Sequence, residues 1–317
     1  MKLNRILNEF EIDSSSINSD FTINESALPK QRVDGKILTK SGRHRCTLLY
    51  ETIQGQGRYG IIQACKRVEG AVITKAVVKR PRSPSQSLAP EATLQAVCYN
   101  CVEDHGLSGS ISKPLDLFLF ANEVRFTMEF VDGMSFREFI GHHGEAEIVN
   151  CIMQLAAILH ALEEIRFDHR DLRIENVWIR PLASAQNYKI QIDGPKEIEF
   201  KFQVVLLDFG FACLGGKVNL GDSVFSPIDP CPKYGRDLYQ FLISCFEFGI
   251  ADRLTPGFVR LLKEWMKPYT VIPTTLTYVT TADPKFKLGK LRPVELLRWY
   301  FRMSAQLPHQ SQGYHPL

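Results

Sequence analysis

"RFDHRDLRIENVWIR", residues 166–180, sets His169, Arg170, Asp171, Arg173, Glu175 and Asn176 within eight positions and then runs straight into the apolar "VWI". Two readings are open. One is an ordinary charged turn between a helix and a strand. The other is a loop that holds an Asp and an Asn at fixed separation for chemistry on a phosphate. The flanking sequence decides between them.

Upstream, "EAEIVNCIMQLAAILHALEEI" (145–165) places apolar residues at i, i+3 and i+4 for about five turns, which predicts a long helix feeding into the loop. Downstream, "YKIQIDGPKEIEFKFQVVLLDFG" (188–210) alternates on both sides of "DGPK" and predicts a β-hairpin followed by a buried strand ending at Asp208. An unpaired carboxylate at the end of such a strand is costly unless a cation meets it. Magnesium supplies that charge, prefers hard oxygen ligands and usually brings substrate phosphates with it. Asn176 offers a neutral oxygen and Asp208 an anionic one. Asp171 can then accept the proton of an attacking hydroxyl, and Arg173 can neutralise a transferring phosphoryl group.

Earlier in the chain, "CTLLYETI" (46–53), "IIQACKRV" (61–68) and "AVITKAVVKR" (71–80) are short, rich in β-branched residues and bounded by glycine-containing turns, so they predict strands. "PEATLQAVCYNCVEDHG" (90–106) predicts a helix, with Pro90 at its first position and Gly106 past its end. Two more strand-like runs occupy 115–121 and 124–131, and helical spacing returns at 236–250, 256–266 and 292–306. Strands dominate the first third and helices the rest, which predicts an α+β protein in two lobes. "GQGRYG" places Gly55, Gly57 and Gly60 between two strands, where backbone N–H groups can approach a phosphate. A plain glycine hairpin has the same composition. "AVVK" ends a strand on Lys79, which either aims its ammonium at phosphates or guards a sheet edge.

Taken in order, Gly55/Gly57/Gly60, Lys79, His169-Arg170-Asp171…Asn176 and Asp208-Phe209-Gly210 resemble the eukaryotic-type protein kinase superfamily, over about residues 47 to 300. The resemblance implies a bilobal protein-kinase-like fold, with a β-rich N-lobe (46–127), a hinge (128–131) and a mainly helical C-lobe (132–317) carrying a hairpin insertion at about 181–203. It implies that Lys79 holds the phosphates of ATP and pairs with Glu91, the best-placed acid because residues 94–102 contain none. Asn176 and Asp208 then hold Mg2+, and Asp171 is the base. Met128 is the gatekeeper, with Glu129 to Val131 presenting backbone groups to adenine, and Asp237 braces the catalytic loop. The "EN" ending of the loop, Glu175-Asn176, resembles the serine/threonine-specific form, so the expected substrate is a protein Ser or Thr. A pseudokinase scaffold and a small-molecule kinase are the alternatives. No Ala-Pro-Glu lies between Asp208 and Asp237; "SPID" (226–229) stands there, with Asp229 expected to pair with Arg292 and with Ser223 or Ser226 as phosphate acceptors.

Composition sets outer bounds. The chain has 317 residues, 44% of them hydrophobic, and a net charge of +3, too near neutral to suggest a nucleic-acid binder. No secretory signal and no membrane-spanning run is expected, which points to a cytoplasmic or nuclear protein with no membrane partner. The eight cysteines are then expected as reduced thiols, Cys98 and Cys101 being two small side chains on one helix rather than zinc ligands. Residues 1–45 are polar and lack periodicity, and predict a partly disordered extension.

Overall fold

The computed structural model describes residue 10 and residues 22–56, 60–83, 86–215, 218–220, 231–267 and 292–306. Its first part is a sheet that closes on itself. Strands β1 (Lys30–Gln31), β2 (Lys36–Leu38), β3 (His44–Gln56), β4 (Ile61–Glu69) and β5 (Val72–Arg80) pair antiparallel in chain order. Helix α1 (Ala89–Asp104) intervenes before β6 (Pro114–Phe120) and β7 (Glu123–Glu129). Strand β7 pairs with both β5 and β6, and β6 meets β1 in parallel at Lys30↔Leu119. There the Leu119 N–H donates to the Pro29 carbonyl at 2.8 Å. The order β1-β2-β3-β4-β5-β7-β6 is therefore a closed barrel.

This overturns the expected bilobal kinase-like fold. The N-terminal part is not an open β-rich lobe but a closed, mixed seven-stranded barrel. The closing strands lie within residues 1–45, expected as an extension. They are two and three residues long, too short to show alternation, and their closing partner is distant in sequence. Closure gives the barrel an interior, filled by Ile37, Cys46, Leu48, Cys65, Val78 and Phe118.

Strand β8 (Met134–Ser135) leads into α2 (Phe136–His142) through a capping box. Ser135 Oγ accepts the Glu138 N–H at 3.2 Å, and the Glu138 carboxylate accepts the Ser135 N–H at 2.9 Å. The core helix α3 (Glu145–Glu163) follows, with Ile148, Ile152, Leu155, Leu159 and Leu162 buried. Among the described residues it is the one helix long and apolar enough to cross a membrane, and it is mostly enclosed by protein.

Strand β9 (Phe167–Asp168) ends at the loop that opened the sequence analysis. That loop is followed by β10 (Val177–Gln191) and β11 (Pro195–Leu206), one long hairpin paired from Val177↔Leu206 to Gln191↔Pro195. One face of this hairpin, the expected insertion at 181–203, packs back onto the fold. Its alternating inner residues Tyr188, Ile190, Ile198 and Phe200 are buried. Gln154 of α3 donates to the Phe202 carbonyl at 2.7 Å and accepts the Val204 N–H at 3.0 Å. Strand β10 also pairs with β8, so close that a Cβ on Gly133 would overlap the Ile179 carbonyl.

Two short strands, β12 (Cys213–Leu214) and β13 (Val218–Asn219), extend from β9, and helices α4 (Arg236–Glu247), α5 (Pro256–Met266) and α6 (Pro293–Gln306) complete the described chain. The cysteines depart from expectation at one pair. Cys213 and Cys231 are joined in a disulfide, because β12 pairs with β9 and the Lys233 N–H bonds to Asp168, which brings their Cα atoms to 6.4 Å. The other six are buried free thiols, Cys98 and Cys101 on α1 among them.

Candidate functional site

The hairpin positions the site. Because Val177 pairs with Leu206, the residues just before β10 and just after β11 emerge side by side. The Leu207 N–H donates to the Asn176 carbonyl at 3.0 Å, and His169 Nε2 lies 2.9 Å from the Leu207 carbonyl. Asp208 and Asn176, distant in sequence, are thereby held next to each other. Phe209, fully buried against Phe167 and His169, pins the turn that follows.

Of the six described non-glycine residues in the left-handed backbone region, two belong to this site, Arg170 (φ +66°) and Asp208 (φ +59°). Such conformations are uncommon for residues with a Cβ and persist where surrounding contacts impose them. At Arg170 the contact is visible. Asp237, in the first turn of α4, accepts the His169 N–H at 2.7 Å and the Arg170 N–H at 2.8 Å. Further along α4, Gln240 and Ser244 accept the N–H groups of Leu172 and Ile174.

The barrel contributes Lys79. Flanked across the sheet by Ile62 and Phe126, it reaches out of β5 to Glu91 Oε1 at 2.5 Å and to Asp208 Oδ1 at 2.8 Å. Burial alone would lower the pKa of the Lys79 ammonium, but Asp208 and Glu91 beside it reverse this and hold it above the usual lysine range. Partial burial likewise pushes Asp208 up, yet the Lys79 charge wins and keeps it below the usual carboxylate range. Burial raises Glu91, against the pull of Lys79. Glu91 stands in the first turn of α1, where the helix N-terminus also favours its charge.

Asp171 is buried, and that burial raises its pKa against the opposing charge of Arg173. Arg173 Nε lies 2.9 Å from Asp171 Oδ1, so the cation expected to face a phosphoryl group here faces the carboxylate. Asn176 Nδ2 donates to the Asp171 carbonyl at 2.7 Å and lies 3.3 Å from Asp171 Oδ2. With its amide nitrogen so engaged, Asn176 keeps its oxygen as its remaining polar atom.

These groups surround one cavity of about 610 Å3, lined by Gly55, Gly60, Lys79, Met128, Glu129, Val131, Asp171, Arg173, Asn176 and Asp208, together with apolar Ile62, Val77, Trp178, Leu207 and Phe211. That is the size and mixture of a small-molecule site. A Cβ on Gly60 would crowd the site, coming within 3.0 Å of Lys79 Cε and 3.1 Å of the Arg80 carbonyl. Gly57 lies outside the described residues, as do Ser223, Ser226 and Asp229.

The backbone of the 128–131 segment is partly committed. The Glu129 N–H donates to the Lys113 carbonyl and its carbonyl accepts from Ser112 Oγ, both at 2.8 Å, while its side chain pairs with Arg180 at 2.9 Å. Arg292, expected to meet Asp229, lies 3.0 Å from Glu163 and over the Tyr234 ring.

Ser112, Trp178 and Arg180 were not singled out from sequence. Trp178 carried a usable signal, since it stands two residues past Asn176 on a strand entry and so shares its face. Ser112 lies in an irregular segment where no periodicity marks it.

The donor set at the cavity's polar end fits a hard divalent cation. Asp208 is half-exposed with one oxygen on Lys79, and Asn176 lines the same cavity. Lys79 fits an anionic oxygen beside such an ion. The chain matches no protein-family model and no curated protein. With the closed barrel in place of an open lobe, the resemblance to the protein kinase superfamily drawn from the motifs is corrected, and what the site does rests on its own geometry.

Proposed function

We propose that this site transfers the terminal phosphoryl group of ATP to the hydroxyl of a protein serine or threonine, in the presence of magnesium. One observation carries the proposal: Lys79, Asp208, Asn176 and Asp171 come from the barrel, the hairpin end and the loop before it, yet meet around a single cavity, with Glu91 of α1 paired to Lys79 from behind. A purely structural ion pair would need no such company.

The apolar part of the cavity, Ile62, Val77, Met128, Trp178 and Leu207, suits a nucleobase. Lys79 binds phosphate oxygens, and Glu91 keeps its ammonium aimed at them. Asn176 and Asp208 would hold the magnesium ion, which neutralises charge on the phosphates when bound. Asp171 orients the acceptor hydroxyl and takes its proton, a role suited to a carboxylate whose pKa is raised by burial. Arg173 and Glu175 lie at the cavity and offer charged contacts to an acceptor peptide.

The test is incubation with γ-labelled ATP and magnesium, with generic protein acceptors and a metabolite pool, beside Asp171→Asn. Label on protein Ser or Thr that vanishes in Asp171→Asn is the expected result. Thermal stabilisation by nucleotide without transfer would replace the proposal with a nucleotide-binding scaffold. Label in the metabolite fraction alone would replace it with a small-molecule phosphotransferase.

A further inference from the structure

We propose that Cys213 and Cys231 form a reversible thiol–disulfide exchange site, whose partners are low-molecular-weight disulfides and dithiols, and whose state sets how firmly the loop carrying Asp171 is held. The proposal is independent of the reaction performed at the cavity.

The location of the pair carries it. Cys213, fully buried on β12, stands opposite Asp168 of β9, directly before the His169-Arg170-Asp171 loop. Cys231 is partly exposed, with its sulfur 3.7 Å from the Arg166 carbonyl. Two residues on, the Lys233 N–H donates to Asp168 Oδ2 at 2.7 Å, and Arg236 Nε lies 3.6 Å from the same oxygen. Asp237 then grips the His169 and Arg170 N–H groups. The disulfide thus ties β12 to the entry of α4, and both ends of that tie contact the strand leading into the loop.

Selectivity is built in. The remaining six cysteines, Cys46, Cys65, Cys98, Cys101, Cys151 and Cys245, are all buried, and burial raises the pKa of every one of them, Cys46, Cys65 and Cys101 to about 12. Thiols held that far from their thiolates do not exchange at neutral pH. Cys231 is the accessible partner of the one remaining pair.

The exchange balances as follows. The Cys231 thiolate attacks a small disulfide RSSR, forming a mixed disulfide and releasing one RS−. The Cys213 thiolate then attacks the Cys231 sulfur, forming the Cys213–Cys231 bond and releasing a second RS−. The two protons lost by the cysteines appear on two RSH, so the cysteines are oxidised and the small disulfide is reduced. A dithiol runs the sequence backwards.

The experiment equilibrates the full chain in glutathione buffers of graded oxidised-to-reduced ratio and traps free thiols with a maleimide. Amide hydrogen exchange of the peptide spanning 166–172 is then followed in each state. The expected result is one cooperative transition confined to Cys213 and Cys231. The His169 and Arg170 amides should exchange about tenfold faster in the reduced protein. Cys231→Ser should show the reduced-state exchange rate at every ratio, and Cys213→Ala, which puts no hydroxyl at the buried position, should do the same. The proposal is overturned if the pair stays reduced throughout, or if exchange at 169 and 170 is the same in both states. It is also overturned if the reduced protein takes up one equivalent of zinc that shields both thiols, since Asp168, Cys213 and Cys231 would then be a metal site.

Discussion

Lys79 Nζ lies 2.8 Å from Asp208 Oδ1 although 129 residues separate them in the chain, so one ion pair joins the barrel to the end of the hairpin. Glu91 completes the cluster and is itself buried. Lys79→Met removes the cation and leaves Glu91 without its charge partner. Breaking a buried pair from one side costs about 3–5 kcal/mol, and the loss here should fall at the low end because Asp208, the second partner of Lys79, is half-exposed to water. Urea denaturation should therefore show Lys79→Met destabilised by about 3 kcal/mol. Lys79→Met combined with Glu91→Leu should recover most of that. Neither variant should gain thermal stability from magnesium–ATP, and a wild-type nucleotide shift in either would remove Lys79 from the binding role.

Asp171 gives a prediction in which stability and activity move apart. Its folded-state pKa is raised, chiefly by burial, so the folded protein binds this proton more readily than the unfolded chain does. The ionised carboxylate is then a net cost to folding above the folded pKa, and the cost fades as pH falls through the raised value toward the unfolded one. Asp171→Asn should unfold at a slightly higher temperature than wild type at pH 7, with the difference vanishing in acid. Transfer should fall about 10²- to 10⁴-fold in the same variant. A variant less stable at pH 7 would show that the Arg173 pair, not burial, governs this carboxylate.

The loop 169–176, its neighbour Asp208 and the strand lysine were legible because each is local: a dense polar cluster, a strand ending in a carboxylate, a lysine after three apolar residues. The long helix and the hairpin were legible through periods of 3.6 and 2. Barrel closure was not. It depends on Lys30 meeting Leu119, a contact made by a two-residue strand without a hydrophobic pattern. The Cys213–Cys231 bond was hidden for a similar reason, since only the pairing of β12 with β9 and the grip of Asp168 on Lys233 bring the sulfurs together. The alternation of the hairpin shows that one face is buried without saying against what. Gln154 and Asn150 of α3 supply that answer.

Asp237 should behave as a positioning residue. Its two oxygens satisfy two buried N–H groups, and one of these belongs to Arg170 in a backbone conformation that a non-glycine residue seldom adopts. Asp237→Ala leaves both donors unsatisfied, at about 1–3 kcal/mol each. Equilibrium denaturation should show a loss of about 2–5 kcal/mol. Asp237→Asn keeps one acceptor oxygen and should lose roughly half as much. If Asp237→Ala proves as stable as wild type, then α4 does not hold this loop.

The barrel interior holds a second ionic cluster, remote from the cavity, and it sets the last expectation. Asp116 is almost wholly enclosed. It lies 2.7 Å from Arg45 Nε and 2.8 Å from Arg67 Nε, and it accepts the Thr127 hydroxyl at 2.6 Å. Burial pushes its pKa up, but the hydrogen bonds from Arg67 and the charges of Arg45 and Arg67 outweigh that and hold it below the usual carboxylate range. A depressed folded pKa stabilises the fold above the unfolded value and loses that contribution as pH falls through the folded one. The barrel should therefore loosen in acid below the ordinary aspartate range. Asp116→Ala removes a carboxylate shared by two largely buried guanidinium groups and should cost about 3–5 kcal/mol at pH 7, with a flatter acid limb in its stability profile. Arg45 on β3 and Asp116 on β6 pair across the barrel, and β1 and β2 bridge those two strands on the closing side, so the amides of β1 and β2 should lose hydrogen-exchange protection in the same variant. Protection that persists there while global stability falls would mean that the short strands, and not this cluster, keep the barrel closed.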